Sequence, residues 1–407
     1  MKKVFFLIVA VLCIHLGGIH PVLAQENQEE EQLDIAAFEA WKKEFRKEAI
    51  KAGIQKKTLN TYIPQMQLLP HVVKSDRKQP EFVRTFWEYV DNAVSPVRIQ
   101  KGKEMLHANY DLLQDVYQIY HVPPHYILAF WGMETNYGKT KGTVPLLSSL
   151  ATLSFDTRRR AFFTKQLIAY LRLLEQGHIA PANGSWAGAM GHFQFIPTTF
   201  EAYAVDADGD GKKDLVGNLY DAAFSAGNYL SVMGWHKGSR WGREVIMTRV
   251  LPWEKVYNGK AKTVQDWLQM GLIPANGDMW NEEDLKIPAE LLMPMGLNGP
   301  LFLTYPNFQI IKRWNNSDLY ALGVGLLADR IANQQTKIYA SRTDERLTFD
   351  DVKGLQQKLT EKGYYAGKID GKIGKKLKRA IREIQKQNGL NQDGYPTKYF
   401  ILNLDTY

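Results

Sequence analysis

The chain has 407 residues, a formal net charge of +8 at pH 7, 45% hydrophobic and 12% aromatic residues, and one cysteine. That length accommodates two or three domains, and that apolar content excludes a disordered chain outside its ends. The basic balance attracts polyanions, but no nucleic-acid motif, Walker loop, GxSxG elbow, dinucleotide fingerprint or metal-ligand histidine spacing accompanies it, so the charge reads first as a general surface property.

In chain order, residues 1–24 read as an export signal: Lys2 and Lys3, an apolar run from Val4 to Leu16 broken only by His15, and a cleavage site at Val22-Leu23-Ala24. The run is shorter than the ~20 residues of a membrane span, so no stable span is expected after cleavage. Acylation of Cys13 is disfavoured by bulky Leu12 before it. Cleavage removes the only cysteine, so neither a disulfide nor a thiol nucleophile remains. The expected location is the periplasm or cell envelope, and the default state is a monomer.

Residues 25–34 form a polar, acidic leader. From Ile35, Phe38, Trp41, Phe45 and Ala49 recur at helical spacing, and Gly53 fits the helix end. Further helices are predicted over Val97–Leu113, Ala161–Leu174, Asp221–Met233 and Leu319–Ala332, with Leu301–Ile311 as the best extended segment. Residues 235–305, rich in Pro, Gly and Trp, form a small inserted subdomain. The whole of 35–338 reads as one largely helical domain. A linker at 339–348 precedes a three-helix module at 349–405, with Asp350 or Asp351 capping its first helix, a turn-rich Gly363–Gly371, a second helix through Leu377, Ala380, Ile381 and Ile384, and a third near Thr397–Leu402.

Five segments carry chemistry. Pro123 and Pro124 suit the start of an apolar helix, and Gly138 suits its end, which places Glu134 in the last turn. The helix dipole and desolvation by Trp131 and Tyr137 both raise a carboxyl pKa there, giving the protonated acid that glycosidic cleavage requires. On these grounds alone a solvated surface glutamate at a helix end is the better reading, since most glutamates are solvated. Ser185–Pro197 (SWAGAMGHFQFIP) has small residues that allow close approach, with Ser185 and Gln194 as neutral hydrogen-bonding groups. Asp206-Ala207-Asp208-Gly209-Asp210-Gly211 matches the front of a calcium loop, although Gly217 occupies the twelfth position and closure falls to Asp221. A calcium ion there, held by Asp206, Asp208, Asp210, Lys212 and Asp221, would be structural, and no cofactor is expected for the chemistry. Arg158-Arg159-Arg160 can hold carboxylates bidentately or form a solvated face. Arg313-Trp314-Asn315-Asn316-Ser317, with Tyr320, offers stacking and hydrogen-bonding groups for a sugar.

Together these segments resemble the membrane-bound lytic murein transglycosylase B family, through Phe38-x-x-Trp41, Gly53-Ile54, Asp76–Phe82, Gly132–Gly138, Ala187–Gly191 with Gln194-Phe195-x-Pro197, the Asp206 loop, and Arg313-x-Asn315 with Tyr320. The C-terminal unit resembles the peptidoglycan-binding domain type 1, through Leu355-Gln356, Gly363-Tyr364-Tyr365, Ile369-Asp370-Gly371, Gly374 and Asp393-Gly394. The resemblance implies a mainly α, lysozyme-like catalytic domain acting on peptidoglycan glycan strands. It implies that Glu134 is the sole acid and then base, protonating the oxygen between N-acetylmuramic acid and N-acetylglucosamine and then deprotonating the muramic C6 hydroxyl, which closes a 1,6-anhydro ring. An already positioned hydroxyl removes the need for a second carboxylate. Ser185 and Gln194 match sugar-binding positions, Asn315 and Tyr320 match positions near the acid, and Arg159 and Arg160 match positions that meet the stem peptide. Tyr137 is carried as a further binding residue, as is Trp314, which replaces a usual tyrosine. The competing readings are a muramidase that hydrolyses the same bond, which needs a second carboxylate or substrate assistance, and a non-catalytic wall-binding scaffold.

Overall fold

The computed structural model describes residues 34–77, 85–334, 337–342 and 345–407; the expected signal segment, nearly all of the leader, and residues 78–82 of the Asp76–Phe82 stretch lie outside them. The architecture is mainly helical. Among the described residues, no helix is long and apolar enough to cross a membrane.

Two helices form the centre of the large domain. Pro124–Thr135 buries every residue from Tyr126 to Gly132, and Asp318–Ile331 buries every residue from Tyr320 to Asp329. A helix apolar on all sides must be enclosed by others. These two pack on each other, with Phe86–Ala93, Pro96–Ala108 and Pro306–Trp314 around them. Gly325 permits the close approach of Trp241, since a Cβ there would meet the indole at 2.4 Å. Each large side chain removed from water in this core contributes about 1.5–3 kcal/mol. The predicted helices at Ile35–Lys51, Arg160–Glu175, Leu219–Val232 and Asp318–Ile331 are present.

Three expectations are corrected. Val97–Leu113 is two helices, Pro96–Ala108 and Tyr110–Tyr120; Asn109 breaks them, leaving helical geometry and turning its side chain back onto the Met105 carbonyl. Leu301–Ile311 is extended only over Leu301–Thr304, because Pro306 opens the helix Pro306–Trp314. In the C-terminal module Thr348, rather than Asp350 or Asp351, is the N-cap, and Asp351 closes the capping box from the third position.

The insert contains a four-stranded antiparallel sheet in the spatial order Leu272–Pro274, Gly242–Met247, Leu301–Thr304, Glu290–Leu292. Its own core gathers Val245, Trp253, Val264, Trp267 and Leu303. The C-terminal helices Phe349–Glu361, Lys375–Gln387 and Lys398–Leu402 enclose a third core. Two buried glutamines organise its turns: Gln356 accepts from the amides of Asp370 and Gly371, and Gln385 from that of Gly394. The linker is pinned to the large domain. Glu244 accepts from the amides of Tyr339 and Ala340, and Arg342 pairs with Asp91. The module also meets the insert directly: Trp253 donates to Asn391, the Leu297 amide donates to Asp393, and Arg382 lies 4.4 Å from the Tyr257 ring centroid.

Candidate active site

The Glu134 helix begins at Pro124, whose missing amide would have had no partner in any case, and stops at Asn136, two residues before the expected Gly138. Asn136, Tyr137 and Gly138 all have positive φ, at 50°, 60° and 83°. Left-handed backbone at a tyrosine costs roughly 1–2 kcal/mol, and the surroundings hold it. The Tyr137 ring is buried against Gly102 and Gly132, and its hydroxyl donates to the Arg98 carbonyl at 2.8 Å. Tyr137 therefore faces the helix Pro96–Ala108 and braces the end of the Glu134 helix.

Glu134 is half-buried. Desolvation pushes its carboxyl up to about 7, while hydrogen bonds from Tyr320 and then Trp314 pull the other way. The Tyr320 hydroxyl donates to Oε1, and its ring is nearly inaccessible. Burial comes first in raising the Tyr320 phenol well above its usual range, followed by the neighbouring carboxylate, so this hydroxyl remains a donor. Trp314 is the hub of an aromatic cage, with ring centroids of Phe130 at 4.6 Å, Tyr229 at 5.0 Å and Phe195 at 5.3 Å. The cage fixes the indole and lowers the local polarity on one side of the acid. Asn315 ends the same helix and is exposed beside it.

The second segment folds against the C-terminal end of the Glu134 helix, at Trp131 and Thr135. Met190 and Phe195 exchange backbone hydrogen bonds at 2.9 and 3.0 Å, making a tight loop with Gln194 at φ 52°. Gly191 has φ 75°, and a Cβ there would meet the Leu215 carbonyl at 2.2 Å. The Gln194 side-chain amide donates to the Lys141 and Gly191 carbonyls, both at 3.1 Å, which leaves its Oε1 without a partner among the described residues. Ser185 Oγ accepts from the Ala189 amide at 3.0 Å and so shapes the Ser185–Ala189 turn. His192 locks the segment to the helix. Trp131 donates to its Nδ1 at 3.1 Å, and Thr135 donates to its carbonyl at 2.8 Å. Burial, then the Lys141 charge, depresses its imidazole to about 4, which keeps the ring neutral.

The arginines are already engaged. Arg158 and Arg159 meet the Asp76 carboxylate, Arg159 also lies over Phe162 and Phe163, and Arg160 donates to the Phe155 carbonyl. They line a separate cavity with Trp41, Glu44 and Glu48.

In the acidic loop, carboxylate oxygens of Asp206, Asp208 and Asp210 lie within 4.8 Å of one another. Three oxygen donors at that spacing fit a hard cation such as calcium. Asp221 is fully buried and accepts from the amides of Ala207 and Asp214, both at 2.8 Å, so it ties the two ends of the loop together. The Lys212 amide donates to Asp210 at 2.7 Å. The loop reaches the candidate site through Lys141, whose amine donates to the Val216 carbonyl at 2.7 Å while its own carbonyl accepts from Gln194. Reading the sequence singled out neither Lys141 nor Tyr229. Lys141 carries no local signal, and Tyr229 joins the cage only through packing of a distant helix.

The transglycosylase SLT domain matches residues 37–329, and a putative peptidoglycan binding domain matches residues 349–399. The chain is 31% identical over 296 residues to the membrane-bound lytic murein transglycosylase B of Escherichia coli, covering 69% of this chain and 80% of that one. It is similar to SltB3 from Pseudomonas aeruginosa, solved in complex with NAG-anhNAM-pentapeptide, at a TM-score of 0.86 and 39% identity over 90% of this chain and 99% of that one. The Escherichia coli lytic transglycosylase Slt35, solved in complex with calcium, gives a TM-score of 0.60 and 28% identity over 73% of this chain and 94% of that one. On this evidence the chain belongs to the lytic murein transglycosylase family, lyases that act on peptidoglycan, and it carries a C-terminal peptidoglycan-binding domain.

Proposed function

We propose that Glu134 alone carries the reaction, cleaving the bond between N-acetylmuramic acid and N-acetylglucosamine and leaving a 1,6-anhydro muramic end. The observation that carries this reading is a half-buried carboxyl raised to about 7, with Tyr320 and Trp314 as donors and no second carboxylate joining them among the described residues. Held protonated near neutral pH, Glu134 donates to the departing glycosidic oxygen; general acid catalysis of this kind supplies about 10²–10⁴ in rate. Its carboxylate then takes the proton of the C6 hydroxyl as that oxygen bonds to C1. Water is not needed, because the nucleophile belongs to the same sugar.

Tyr320 and Trp314 orient the carboxylate and stabilise its ionised form between the two steps. The unpartnered Oε1 of Gln194 and the exposed amide of Asn315 suit sugar hydroxyl and acetamido groups. Ser185 shapes the turn that presents Gln194. Arg159 and Arg160, with Glu44 and Glu48, line a cavity of mixed charge that suits a part of the stem peptide bearing both amine and carboxylate. Asp206, Asp208 and Asp210, with the Lys212 carbonyl and Asp221, would hold a calcium ion that cross-links the loop. The protein would act as an exported monomer in the periplasm or cell envelope, with 1–24 as its signal segment and 349–405 as its wall-binding module.

Digestion of purified sacculi followed by mass spectrometry tests the proposal. Anhydro ends, lighter by one water, are expected. Reducing muramic ends would replace the lyase with a muramidase, and intact sacculi would leave only a scaffold.

A further inference from the structure

The net charge is concentrated in the C-terminal module: residues 349–407 hold 12 Lys and Arg against 7 Asp and Glu. Most of this excess collects on one helix, Lys375–Gln387, which has six basic residues and one acidic. Its first turns open onto a cleft of about 600 Å³, within the range of ligand sites. Lys375, Lys376, Lys378, Arg379 and Arg382 line it together with Tyr364 and Tyr365.

Arg382 lies over the Tyr257 ring, but the other four cations of this cleft differ from those elsewhere in the module. On the helix Phe349–Glu361, Lys353 pairs with Asp350 and Lys358 with Asp405. Among the described residues, no side-chain hydrogen bond or ion pair engages Lys375, Lys376, Lys378 or Arg379, and no carboxylate lines the cleft. Lys378 is half-buried, and desolvation lowers its amine below the usual lysine range. Asp318 and Asp393 lie within electrostatic reach of Lys378, but no carboxylate lines the cleft beside Lys375, Lys376 and Arg379. Gathering like charges there is unfavourable unless an anion completes the arrangement.

We infer that this cleft is a carboxylate-binding site for the stem peptide of a peptidoglycan strand, an inference that rests on the substrate proposed above. Location favours that anion. Lys378 lies within electrostatic reach of Asp318, which opens the helix whose third residue is Tyr320, the donor to Glu134. An extended pentapeptide spans about 17 Å, a length that carries its carboxylates well away from the sugar that bears it. The cleft also contrasts with the Arg158–Arg160 cavity, where Asp76 already engages two arginines and Glu44 and Glu48 share the lining. The tyrosines suit the aliphatic parts of a peptide, and the cations its free carboxylates.

The test is calorimetric titration of the full-length protein with N-acetylmuramyl-pentapeptide, with the same compound fully amidated at its carboxylates, and with phosphatidylglycerol vesicles. The double variant Lys376→Glu/Arg379→Glu is compared with wild type, and Lys376→Gln/Arg379→Gln serves as a milder variant should charge reversal perturb folding. Amidation, and either double variant, should each weaken peptide binding by about tenfold or more, the scale of one lost charge-assisted contact. Equal affinity for acid and amidated peptide would overturn the assignment. So would variants that lose vesicle binding while holding the peptide as wild type does. Because the readout is binding, these results stand apart from whether Glu134 forms anhydro products.

Discussion

The hydroxyl of Tyr320 donates to Oε1 of Glu134 across 186 residues of sequence, joining the two central helices. Tyr320 is aimed by its own helix start, where Ser317 caps its amide. The acid is thus balanced: burial raises its pKa, and this hydroxyl restrains the rise.

Removing that restraint should move the balance in a known direction. Tyr320→Phe deletes a donor that favours the ionised form, so the Glu134 pKa rises further. The alkaline limb of kcat/KM against pH should shift upward by about one unit, and kcat should fall by about tenfold as the carboxyl loses its orientation. An unchanged alkaline limb would mean that Tyr320 does not bond to the working acid.

The same shift fixes the pH dependence of wild type. Glu134 must be protonated to act, so turnover should hold below pH 7 and fall as pH rises through about 7. For stability, a carboxyl whose folded pKa is raised costs nothing while both folded and unfolded states are protonated, below about 4.5. It costs progressively more as pH rises between the two values. Glu134→Gln should therefore unfold like wild type at pH 4 and be more stable at pH 8, on the order of 2 kcal/mol, in urea melts at the two pH values.

The acidic loop yields a thermal prediction. A cation that binds only the folded loop stabilises it by about 2.7 kcal/mol at a hundred times its Kd. Melting in excess calcium should exceed melting in chelator, and Asp210→Ala should erase the difference. A wild-type melting temperature indifferent to calcium would remove the ion from the account.

Glu244 provides a purely mechanical test. Its buried carboxylate accepts from the amides of Tyr339 and Ala340. Glu244→Ala removes two hydrogen bonds to a charged acceptor, each worth about 1.5–3 kcal/mol. Limited proteolysis should then cut faster within 337–347, with the SLT domain otherwise intact. Cleavage no faster than in wild type would show that the linker is held by other contacts.

Much of the site could be read in the sequence, because its logic is local. Pro123-Pro124, the apolar run and Gly132-Met133-Glu134 are contiguous and place the acid at a helix end without reference to anything distant. The partners of that acid were legible only through resemblance, since Tyr320 and Trp314 reach it from another helix pair. Lys141, Tyr229 and the bracing direction of Tyr137 were not legible, because each depends on which remote surface packs beside it. The insert was opaque for a related reason. Its strands are three to six residues long, too short for alternation to show. By contrast, the helix start at Pro306 and the Thr348–Asp351 capping box were written in local signals that the hydrophobic pattern overshadowed.

Turnover of one defined glycan strand by wild type and by Glu134→Gln, at matched strand binding, decides whether this carboxyl performs the chemistry. Glutamine keeps the shape and an acceptor oxygen for Tyr320 but has no proton to transfer. A loss in kcat of about 10²-fold or more with unchanged affinity is the expected result. A variant that turns the strand over within a few-fold of wild type would contradict the assignment of this carboxyl to the chemistry.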